Sequence, residues 1–63
     1  MLPEKNDYVN APSNKYSTPI LDVREGAVKY RNSSADTDVW VSTDCLEWND
    51  SDGEWVIKKP LYQ

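Results

Sequence analysis

Eleven carboxylates, one cysteine and three tryptophans are the side chains of this 63-residue chain whose types could do chemistry, and histidine is absent. Without an imidazole there is no Ser–His or Cys–His pair and no access to the commonest general base. Cys45 follows Asp44 and has no cationic neighbour in sequence to stabilise a thiolate, so it reads as a small core or edge residue. Paired carboxylates carry acid–base work only inside a shaped cleft. A domain this short buries only about 60 % of its unfolded surface and has little room for one. The expectation is a protein that is not an enzyme and needs no cofactor.

A metal loop is the next chemistry to weigh. Asn49-Asp50-Ser51-Asp52-Gly53-Glu54 has the acidic, glycine-containing character of calcium loops. That pattern requires acids where Trp48 and Lys59 stand. One cysteine and no histidine leave too few soft ligands for zinc. The loop is read as a solvated hairpin tip, with no metal expected.

Two features remain, and they lie together in sequence. Between residues 32 and 57 there are seven acids, Asp36, Asp38, Asp44, Glu47, Asp50, Asp52 and Glu54, and no base. The same stretch holds Trp40, Trp48 and Trp55. Trp48 and Trp55 are what a small core needs, because each aromatic buries roughly 150–250 Å². Trp40 alternates with Val39 and Val41 and points outward if the valines point in. An exposed tryptophan flanked by acids is the kind of anchor that dominates interface energy. Trp40 with the seven acids is therefore the expected partner-binding surface.

Net charge is −4, which argues against phosphate-backbone or anionic-membrane binding and in favour of a basic protein partner. Self-association is left open. In size and composition the chain is similar to the small acidic inhibitors encoded by phages and mobile elements. That likeness implies occupation of a host enzyme's nucleic-acid site, with carboxylates in place of phosphates, or alternatively a structural part of a phage particle. The lone cysteine fits a reducing compartment, the start carries no signal-peptide core, and no apolar run approaches the roughly 20 residues that span a bilayer. A cytoplasmic location, the host's if phage-encoded, is expected.

The elements that must position these groups are short strands. Residues 1–19, broken by Pro3, Pro12 and Pro19 and without periodicity, read as a flexible N-terminal tail, or as an arm packing Tyr8 or Tyr16 onto the domain. Residues 20–63 read as one small β domain. Ile20-Leu21-Asp22-Val23 and Ala27-Val28-Lys29-Tyr30-Arg31 flank a turn at Arg24-Glu25-Gly26, with Val28 and Tyr30 inward. Val39-Trp40-Val41 is apolar on both faces and reads as a central or interface strand. Ser42-Thr43-Asp44 makes a turn or bulge. Leu46 and Trp48 share a face, and after the Asn49–Gly53 loop Trp55 and Ile57 point inward, with Pro60 ending the ladder. The expected fold is all-β: a single antiparallel sheet or partly closed barrel of four or five short strands.

Glu25-Gly26-Ala27-Val28-Lys29-Tyr30-Arg31-Asn32, Val39-Trp40-Val41 and Glu54-Trp55-Val56 together resemble the small chitin- and cellulose-binding modules attached to bacterial glycosidases. The resemblance covers roughly the last forty residues. It implies that Tyr30, Trp40 and Trp48 stack on sugar rings.

Overall fold

The alternation of Val28 and Tyr30 with Lys29 and Arg31 folds as a strand with its apolar side buried. The computed structural model, which describes residues 2–58, has β1 (Tyr8–Asn10), β2 (Thr18–Pro19), β3 (Asp22–Arg24), β4 (Ala27–Asn32), β5 (Thr37–Ser42), β6 (Leu46–Asn49) and β7 (Glu54–Ile57). A 3-10 turn, Thr43–Cys45, joins β5 to β6; the Ser42 hydroxyl caps it by accepting from the Asp44 N–H. The protein is all-β. Its strands form two sheets, however, in the orders β2-β1-β7-β6 and β3-β4-β5, and they do not close into a barrel.

The turns form where glycine permits them. Gly26 (φ +80°) joins β3 to β4, and Gly53 (φ +67°) closes the β6–β7 hairpin, both in the left-handed region that glycine enters without steric cost. Val9, Ala11, Ile20, Val28, Tyr30, Trp55 and Ile57 make the core, with Val39, Val41, Leu46 and Trp48 packed against it. The Trp48 and Trp55 rings meet edge to face at 5.2 Å, an arrangement worth about 0.5–1.5 kcal/mol beyond area burial. The expectation that Pro60 ends the last ladder lies outside the described residues.

The largest departure from the sequence reading is at the N-terminus. The segment read as a flexible tail supplies two strands, and β1 sits inside the four-stranded sheet. It pairs antiparallel with β2 (Val9 to Thr18) and parallel with β7 (Val9 to Trp55). Val9 is completely buried, whereas Tyr8 and Tyr16, the side chains expected to anchor an arm, are largely exposed. The physical reason is length: three residues with one inward side chain make no visible periodicity, and the prolines and asparagines around them form turns rather than disorder.

Asp7 fixes the entry to β1. Its carboxylate Oδ2 accepts from the Glu4 N–H (2.9 Å) and from the Trp55 indole N–H (3.2 Å). Its carbonyl accepts from the Ile20 N–H at 2.7 Å. Farther on, the Asn14 side chain bridges to the β4–β5 loop, donating to the Arg31 carbonyl and accepting from the Ser33 N–H, both at 2.8 Å. Val39-Trp40-Val41 is likewise placed differently from expectation. It lies on β5, an edge strand, and its outward tryptophan rests on neighbouring side chains rather than under a second layer. No helix among the described residues is long and apolar enough to cross a membrane.

If β1 is integral, Val9→Ala should lower stability by about 1–3 kcal/mol, the usual range for deleting buried methyl groups. Urea denaturation measures it. A dispensable leader would show no change.

Candidate functional site

Because Val28 and Tyr30 turn inward, Lys29 and Arg31 stand on the outer face of the three-stranded sheet. The β4–β5 register sets Lys29 opposite Trp40 and Arg31 opposite Asp38, and the β3–β4 register sets Asp22 opposite Lys29. Trp40 is 38 % exposed. The Arg24 guanidinium lies 4.1 Å from the centre of its ring, and Lys29 Nζ lies 5.6 Å from it. The indole thus has two cations within cation–π distance, each attracted by the ring's negative π face.

Arg31 is bonded differently. It forms ion pairs with Asp36 and with Asp38, the latter at 3.5 Å. Asp36 has a left-handed backbone (φ +58°) at the end of the β4–β5 loop. Arg24 and Lys29 form no ion pair among the described residues. Asp22 is the acid opposite Lys29, so the face around Trp40 carries both signs of charge, although the chain as a whole is negative.

An outward Trp40 was expected, and it is present. The gathering of the seven acids around it is not. Asp36 and Asp38 share the sheet with Trp40 but are engaged with Arg31. Asp44 lies exposed in the 3-10 turn. Glu47 points outward from the other sheet and pairs with Lys58 at 2.7 Å. Asp50 and Asp52 sit at the β6–β7 tip, where Asp50 accepts from the Trp48 indole N–H (3.1 Å) and Asp52 from the Asn49 amide (3.2 Å). Glu54 accepts from the Ser17 hydroxyl (2.5 Å) and the Asn10 amide (3.3 Å), tying β7 to the segment after β1.

The residues that sequence reasoning missed are Arg24 and Lys29. A stretch without bases along the chain is not a region without bases in space: the β3–β4 and β4–β5 hairpins fold these two cations back onto Trp40. The signal was available in the short loop at residues 33–36, since pairing outward from it sets residue 29 against residue 40.

The aromatic set proposed for sugar stacking does not share a face either. Tyr30 is buried in the core, Trp48 is half-buried against Trp55, and Trp40 faces the opposite side of its sheet from Tyr30. Among the described residues no group of three or more His, Cys, Asp or Glu is arranged to hold a metal ion. Guanidinium, ammonium and indole on one flat sheet face are donors and a π surface, suited to contact. Comparison with protein-family models, curated proteins and solved structures finds no match for this chain.

The Arg24–Trp40 contact should carry a favourable coupling energy of about 0.5–1 kcal/mol. A double-mutant cycle with Arg24→Ala and Trp40→Ala, followed by urea denaturation, measures it. Additive effects of the two substitutions would show that the stacking is not energetically real.

Proposed function

We propose that this chain is a non-enzymatic protein-binding domain whose contact surface is the outer face of β3-β4-β5, with Trp40 as anchor. The observation that carries the reading is a 38 % exposed tryptophan on the outer face of a regular sheet with the Arg24 guanidinium 4.1 Å from its ring centre. Tryptophan and arginine are the residue types most enriched among side chains whose loss breaks interfaces. A ring already held by its neighbours loses little freedom on binding, which reduces the entropic cost of association. Around it, Asp22, Lys29, Arg31 and Asp38 supply both signs of charge as a polar rim, which favours a partner of mixed charge.

A second reading is supported by a different surface. Residues 47–54 carry Glu47, Asp50, Asp52 and Glu54, with Lys58 the one base among the described residues of β6, β7 and their immediate end. An acidic hairpin of this kind suits a basic groove such as the nucleic-acid site of an enzyme, where complementary fields speed association. An inhibitor from a phage or mobile element acting in its host's cytoplasm is the finer form of that reading. Trp40 is not part of it.

Affinity capture with folded variants separates the two readings. On the first, Trp40→Ala should weaken retention of a partner by about 30-fold, the scale of one strong anchor, while Asp50→Lys with Asp52→Lys leaves it intact. On the second, the pattern reverses. Equal retention of every captured protein by all variants would remove both surfaces.

A further inference from the structure

The long free edge of the three-stranded sheet is β5. It runs six residues, pairs with β4 in unbroken register from Asn32–Thr37 to Ala27–Ser42, and has no strand on its other side among the described residues. The Thr43 N–H donates to the Gly26 carbonyl at 3.0 Å. That bond fixes the parity of the antiparallel ladder, in which residues alternate between bonding to one neighbour and to the other. Residues 37, 39 and 41 bond inward to β4. The N–H and C=O groups of Asp38 and Trp40 and the N–H of Ser42 therefore point outward along the free edge, the Ser42 carbonyl being the first acceptor of the 3-10 turn.

Edge strands are normally blunted by brevity, proline, bulges or lysine. In this chain β2 has two residues and includes Pro19, and β3 has three. β5 has few such protections: it is long, regular, and free of proline, lysine and arginine, with Asp38 its one charge.

We propose that β5 pairs antiparallel with β5 of a second copy of this chain, in the register that places Trp40 on the two-fold axis. The pattern of the strand is complementary to itself in that register and brings the free edge groups into use, with the second lone pair of the Ser42 carbonyl left for the partner's Asp38 N–H. Trp40 lies opposite the partner's Trp40, and Asp38 lies opposite the partner's Ser42, so a carboxylate meets a hydroxyl donor at both ends and no like charges meet between residues 38 and 42. On the inner side Val39 lies opposite the partner's Val41. Both valines are only partly buried and already pack on the core, so the pairing extends each apolar layer across the junction. Registers shifted by two residues leave an edge group unpaired at one end and lose the Asp–Ser match. The result is a continuous six-stranded sheet with an isologous interface, the self-complementary type that closes as a dimer.

Ser42 is where the register can be tested without disturbing β4, because its side chain is exposed and its backbone faces the free edge. Ser42→Asp retains an acceptor for the cap of the 3-10 turn. It also sets a carboxylate against the partner's Asp38 twice by symmetry, and like charges directly opposite are destabilising. Ser42→Lys sets an ammonium against the same Asp38. Sedimentation equilibrium of the full chain should show a concentration-dependent dimer, weakened about tenfold or more by Ser42→Asp and preserved or tightened by Ser42→Lys, with both variants folded by circular dichroism. A wild-type chain that stays monomeric up to roughly 1 mM, the weak limit of specific association, would overturn the proposal. So would equal weakening by the two substitutions. The readout is mass, so it is independent of whether Trp40 binds a different protein.

Discussion

The parallel pairing of β1 with β7 is the constraint on which the rest of the structure depends. It joins the beginning of the chain to its last described strand, with Val9 beside Trp55. Closing so long a loop costs entropy that only burial and hydrogen bonding offset. Here the compensation is concentrated: Val9 and Ile20 are completely buried, the Trp55 indole is bonded to Asp7, and its ring packs on Trp48. Without β1, β2 loses its only neighbour and β7 an entire side. The three-stranded sheet and the β6–β7 hairpin that remain would have less to bury against each other, and an isolated hairpin is marginal in water.

With that pairing in place, the two sheets have different surface character. The four-stranded sheet uses its outward groups internally, as Glu54 does with Ser17 and Asn10. The three-stranded sheet leaves its outer face to Trp40, Arg24 and Lys29, and its edge to β5. Stacked cations partly cover the indole and keep a large apolar group tolerable in water. They also restrict the ring's motion before contact. The same arrangement thus serves solubility and recognition, which is why exposure of Trp40 alone is a weaker observation than exposure combined with the 4.1 Å stacking of Arg24.

How far the sequence revealed this depended on how many residues signalled each feature. β4 and β7 were legible because each has two inward apolar residues in strict alternation, and the turns at Gly26 and Gly53 were legible because positive φ favours glycine. A turn or bulge after β5 was expected at Ser42-Thr43-Asp44, and a 3-10 turn lies at Thr43–Cys45. β1 was hidden because one buried valine among prolines and asparagines carries no period. Its parallel partner is about 46 residues away by subtraction of the paired positions 9 and 55, a separation no local pattern encodes. The candidate site was half legible. Trp40 was placed outward by the valines beside it, but its electrostatic surroundings depended on register across three strands, which brings Arg24 and Lys29 beside it as well as acids.

The most direct test of this account is native-state hydrogen exchange along the N-terminal segment. The account holds that β1 belongs to the same cooperative unit as β7, so the ladder amides of residues 8–10 should exchange as slowly as those of residues 54–57 and be exposed only with them. Exchange of residues 8–10 at the rate of an unstructured peptide, while residues 54–57 remain protected, would contradict it.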